Sequence, residues 1–115
     1  MKDIFFFLTG NFFFFAAFKP SFEKKPLEAE TYAAEGGNVT IVCNPEAAPR
    51  PKFVWKKNND ILGSGGRRKI LENGNLIISP VSRDDEGFYT CTASNNYGVD
   101  ESRGLLIVLR MLSSS

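Results

Sequence analysis

Histidine is absent from the 115 residues. Its absence removes every Ser-His-Asp or Cys-His relay, every imidazole general base and every His-containing zinc site within this chain. Cysteine is scarce: Cys43 and Cys91 are the only thiols, too few for a four-cysteine metal site, so the open question is whether they pair. An excess of one charge is also missing. Lys and Arg total 14 against 13 Asp and Glu, a net charge of +1, so no whole-molecule field draws nucleic acid or an acidic substrate. No cofactor or metal is expected, and an enzyme is not expected. A spanning hydrophobic run is lacking as well, because about 20 apolar residues are needed and the mostly apolar stretch from Ile4 to Phe18 is 15 long. The far end, Met111-Leu112-Ser113-Ser114-Ser115, has no apolar tail of the lipid-anchor kind.

What is present divides into two compositions. Eight of the 11 Phe lie in the first 18 residues. Behind Lys2, with small Ala16 and Ala17 near its end, this stretch has the outline of a secretory signal, although Thr9-Gly10-Asn11 interrupts it. The competing reading is a spurious extension, since near-homopolymeric Phe carries neither helical nor strand periodicity. On both readings residues 1–18 are expected to be no part of the fold. A single domain is expected over 19–110, with a Ser-rich tail at 111–115.

From Lys19 onward, short alternating runs are separated by turn chemistry at roughly ten-residue spacing, and no helix-length period appears. Val39, Ile41 and Cys43 share one parity; Asn38, Thr40 and Val42 share the other. The Pro45, Pro49, Pro51 segment reads as a loop because proline disrupts a ladder. Phe53 and Trp55 then share a face. Asn73-Gly74 is a hairpin signal before Leu76 and Ile78, since both residues tolerate positive φ. Tyr89, Cys91 and Ala93 align next, and Asn95-Asn96-Tyr97-Gly98 turns the chain into a last strand ending near Leu109. Cys43 and Cys91, 48 positions apart, both point inward, with Trp55 between them and Tyr89 two residues before the second. That is the arrangement of a buried indole against an inter-sheet disulfide with a tyrosine corner. A cross-link closing such a loop contributes about 4 kcal/mol in the chain-entropy account. Two reduced core thiols are the alternative, favoured in a reducing compartment.

Asp85-Glu86-Gly87-Phe88-Tyr89-Thr90-Cys91 resembles the Asp-x-Gly-x-Tyr-x-Cys signature of immunoglobulin-superfamily domains, and the short cysteine separation is similar to the I-set. Tyr32 to Gly37, Pro45 to Trp55 and Leu71 to Gly74 resemble a membrane-distal immunoglobulin domain of the contactins, neural and junctional adhesion receptors. The resemblance implies an all-β, immunoglobulin-like I-set sandwich of two antiparallel sheets with one inter-sheet disulfide, Cys43 to Cys91, and a core signature of Trp55, Asp85, Gly87 and Tyr89. It implies a non-catalytic extracellular or cell-surface module that binds a protein partner, homophilic pairing included. Contactins carry several such domains, so a fragment is expected. The rival readings are a free-standing secreted immune or scavenging protein and an intracellular structural I-set domain.

Three surface sites complete the expectations. Asn38-Val39-Thr40 is a glycosylation sequon on an outward parity. Arg67, Arg68 and Lys69, with Lys52, Lys56 and Lys57, form a candidate patch for sulfated glycans, against a reading as solvated faces and edge protection. In similar domains an Arg pairs with the signature Asp, so Arg67 or Arg68 is expected beside Asp85, as an exposed pair contributing under about 1 kcal/mol. Parity alone puts Val54 and Phe88 outward, and with Leu106 and Val108 inward, Leu105 and Ile107 join them as a candidate partner surface. Gly63 to Gly66 reads as a flexible turn, Asn58-Asn59-Asp60 as a hairpin tip, and Asp84, Asp85 and Glu86 as solvated turn carboxylates.

Overall fold

The computed structural model describes residues 4–8 and 14–110; the Ser-rich tail at 111–115 lies outside them. Among the described residues are eleven strands: β1 (Ile4–Leu8), β2 (Phe14–Ser21), β3 (Glu30–Ala34), β4 (Val39–Ile41), β5 (Glu46–Ala48), β6 (Lys52–Lys57), β7 (Asp60–Leu62), β8 (Arg68–Ile70), β9 (Leu76–Ile78), β10 (Gly87–Asn95) and β11 (Gly98–Leu109). A single 3-10 turn, Arg83–Asp85, precedes β10.

Two sheets make the sandwich, one ordered β3-β11-β10-β6-β7 and the other β4-β9-β8. Each is amphipathic because its strands alternate. Val39 and Ile41 are buried while Thr40 is exposed; Tyr89, Cys91 and Ala93 are buried between more open neighbours. The inward sets meet in one core of Leu27, Val39, Ile41, Cys43, Trp55, Leu76, Ile78, Val81, Tyr89, Cys91, Ala93 and Leu106, with Phe53 and Val108 packed at its margin. The last strand therefore takes the expected register, with Leu106 inward and fully buried.

One pair departs from an all-antiparallel scheme: β3 runs parallel to β11, from Leu105 beside Glu30 to Leu109 beside Ala34. The entering chain crosses to the edge of the larger sheet before turning back at Gly36 and Gly37 into β4 in the smaller one.

The Phe-rich start behaves differently from its composition. Strand β2 runs through the expected boundary at Lys19 and pairs with β5, Phe18 beside Ala48 and Ser21 beside Glu46. Ala17 is 4% exposed, and Asn95 Nδ2 donates to the Phe18 carbonyl at 2.8 Å. Strand β1 pairs with β2 in turn, giving a third sheet, β1-β2-β5. The loop reading of the proline segment did not anticipate β5 or its pairing with β2. Between Pro45 and Pro49 stand three residues that keep their amides, so the segment can still pair with an extended strand passing alongside.

Candidate recognition face and the core that holds it

Cys43 and Cys91 are joined as a disulfide, their Cα atoms 6.5 Å apart, with no free cysteine among the described residues. The bond ties Cys43, two residues past the end of β4, to Cys91 in the middle of β10, across the sandwich. Trp55 lies fully buried directly beside Cys91 across the β6–β10 pair. Its indole N–H would be an orphan there, and it donates to the Gly74 carbonyl at 2.8 Å. Gly74 has φ +103°, and a Cβ at that position would meet the Cys43 carbonyl and the Phe53 ring at 2.7 Å. The Asn73-Gly74 turn is thus required by close packing under the indole as well as by hairpin geometry.

The turn before β10 carries the second anchor. Tyr89 is 1% exposed and its hydroxyl donates to the Asp85 carbonyl at 2.6 Å, closing the tyrosine corner. Burial, joined by the Asp85 charge, pushes its phenol up to about 12. Asp84 and Glu86 are exposed as expected, but Asp85 is not a solvated turn carboxylate: it is 3% exposed. Its oxygens accept from Arg67 Nη1 at 2.6 Å and Nη2 at 3.0 Å and from the Ser82 amide at 2.7 Å. The Ser82 hydroxyl caps the same turn reciprocally. Burial pulls the Asp85 carboxyl upward and is the largest single influence; the Arg67 and Ser82 hydrogen bonds, with the Arg67 and Lys57 charges, outweigh it and leave the group below its ordinary value. Arg67, not Arg68, is the partner, and the bidentate pair is half sheltered rather than exposed. Gly87 opens β10 at φ +154°, beside the Asn58 and Lys57 side chains.

This arrangement also breaks up the expected basic patch. Arg67 is committed to Asp85 and to the Pro80 carbonyl, 2.7 Å away. Lys57 donates to the Asp84 carbonyl. Lys52 and Lys56 belong to β6 in the larger sheet, whereas Arg68 and Lys69 belong to β8 in the smaller one. Proximity in sequence did not anticipate which cations the fold would occupy internally.

On the outward face of the larger sheet, register decides what touches what. Phe88 sits opposite Leu105, and Ile107 opposite Tyr32 on β3. Val54 sits opposite Thr92, whose other neighbour is Glu101. A polar row of Arg103, Thr90 and Lys56 lies between the two levels. Val54 and Phe88, each 41% exposed, are therefore not one patch. Parity placed both outward correctly, but their offset of four residues along β10 could only be read once the strands were aligned. The apolar group that does form is Phe88, Leu105, Ile107 and Tyr32. Two of its features escaped the sequence reading. Tyr32 is 57% exposed and held by a 2.6 Å bond from its hydroxyl to Glu30 Oε2; that bond and the Glu30 charge raise its phenol above the ordinary value. The Arg103 guanidinium lies 3.9 Å from the centroid of the Phe88 ring. Arg103 stands opposite Thr90, one step diagonally from Phe88, so this contact follows from the β10–β11 register.

Asn38 stands exposed just before β4, its Oδ1 accepting from the Ser79 hydroxyl. Among the described residues no group of three or more His, Cys, Asp or Glu could hold a metal ion, and no helix is long and apolar enough to cross a membrane.

Comparison with known proteins agrees with this geometry. The immunoglobulin domain family matches residues 19–95. The chain is 65% identical to Contactin of Drosophila melanogaster and 45% identical to Contactin-1 of Homo sapiens, each over 92 residues. Those alignments cover 80% of this chain but only 7% and 9% of the relatives. Among solved structures, neural ectodermal development factor IMP-L2 superposes with a TM-score of 0.70 at 30% identity, over 73% of this chain and 41% of that one.

Proposed function

The chain belongs to the immunoglobulin domain family, and on that premise we propose that it is a non-catalytic, extracellular or cell-surface recognition module of contactin-like adhesion type. Its binding face is the outward side of the larger sheet, centred on Phe88, Tyr32, Leu105 and Ile107. The observation that carries this is the contiguous apolar group across β3, β11 and β10, rimmed by Glu30 and Arg103. Exposed aromatics with an adjacent guanidinium have the composition of interface anchors, and a rigid sheet presents them at little ordering cost. The partner is a protein surface, a second copy included. A sulfated glycan is a weaker reading, because the cations that would hold it are divided between two sheets.

The test is adhesion of beads or cells displaying the full chain. Phe88→Ser with Tyr32→Ala should reduce adhesion at least tenfold, while Val54→Ser, one level away, should change it less than twofold. If the first pair leaves adhesion intact and Arg68→Glu with Lys69→Glu removes it, the smaller sheet is the binding side.

A further inference from the structure

Asn38-Val39-Thr40 is the one Asn-x-Ser/Thr sequon in the chain. A sequon is a short pattern, and its use depends on how the fold presents it. Val39 and Ile41 face the core, so Asn38 and Thr40 both face out, and both are exposed. Asn38 precedes an edge strand, since among the described residues β4 has β9 on one side and no paired strand on the other. Its amide oxygen is engaged by the Ser79 hydroxyl. In a planar amide this turns Nδ2, the atom that would carry a sugar, away from Ser79.

We infer that Asn38 is an N-glycosylation site whose sugar lies over the outward face and free edge of the smaller sheet. In the transfer, Asn38 Nδ2 attacks C1 of the first sugar of a lipid-diphosphate-linked oligosaccharide. The N–C1 bond forms and Nδ2 gives up one proton; the C1–O bond to phosphate breaks, and the lipid diphosphate leaves with the electron pair. The product keeps the Asn38 oxygen free to accept from Ser79, so the modified side chain fits the folded geometry unchanged. Thr40, Ile77 and Lys69 form a row across the same face, and a glycan above them would deny that face to a partner. Binding would then be confined to the larger sheet. A hydrated sugar beside the open edge of β4 would also oppose strand-to-strand pairing between copies.

The inference rests on the extracellular reading above, so the experiment supplies export independently. The full chain is expressed behind a cleavable secretory leader, and its disulfide-bonded pool is compared before and after peptide N-glycosidase. The expected result is a single glycan-sized mass shift, lost in Asn38→Gln and Thr40→Ala and retained in Thr40→Ser. A disulfide-bonded chain without the shift, or a shift that persists in Thr40→Ala, overturns the assignment. The readout is mass, not adhesion, so its failure is distinguishable from failure of the proposed recognition face.

Discussion

Phe88 and Tyr89 are adjacent on one strand, yet they belong to regions governed by different rules. Tyr89 is 1% exposed, belongs to the core around the disulfide and Trp55, and is held by a hydrogen bond to its own turn. Phe88 is 41% exposed, on a face where its contacts are set by the strand alongside. The core tolerates little change because each group fills space and satisfies a neighbour. The outer face has few such obligations, and its chemistry is left for a partner. Stability should therefore concentrate on one side of β10 and binding on the other.

The largest expected effect is on the core side. Cys91→Ala removes the link between the sheets and should destabilise the domain by about 2 to 5 kcal/mol, read by denaturant melts. Near-normal stability would show that the packing around Trp55 suffices alone.

Next comes the buried carboxylate. Asp85→Asn keeps acceptor capacity but removes the charge facing Arg67, and should cost about 2 kcal/mol at pH 7. Because the folded carboxyl lies below its unfolded value, its contribution is fully present above the unfolded value of about 3.9 and is lost as pH falls through the lowered folded one. Melts from pH 7 down to pH 2 should show the difference between the two proteins shrinking toward acid. A constant gap would assign the effect to altered packing instead.

A smaller loss is expected for a chain beginning at Lys19. We propose that the domain proper starts there. Without Ala17 and Phe18 the β5 edge and Asn95 lose partners, a cost of about 1 to 2 kcal/mol, but the sandwich core is untouched. A chain that fails to fold would move the boundary upstream and make β2 an obligatory element.

The smallest effect tests the other side of the comparison. Phe88→Ser should alter stability by no more than about 0.5 kcal/mol, since the ring touches only outward neighbours. A loss comparable to that of Asp85→Asn would mean that the Arg103 contact supports the fold, and the division between the faces would blur.

How far the sequence could be read depended on the kind of interaction. Alternation at Val39, Ile41 and Cys43 and again at Tyr89, Cys91 and Ala93 determined which residues are buried, because a strand's side-chain period is two whatever its neighbours. The spacing of Cys43, Trp55, Tyr89 and Cys91 matched a buried indole against an inter-sheet disulfide but left two reduced thiols as the alternative, and the structure joins them. The Asn73-Gly74 turn was legible for a local backbone reason. Tertiary structure alone decided that Arg67 rather than Arg68 meets Asp85, that Asp85 is sheltered, that Phe88 lies beside Leu105 and Ile107 beside Tyr32 while Val54 stands apart, and that Phe18 pairs with Ala48. Each of these depends on alignment between segments distant in the chain. Parity is a property of one strand, but register is a property of two, and it is set by the turns and core packing that bring them together.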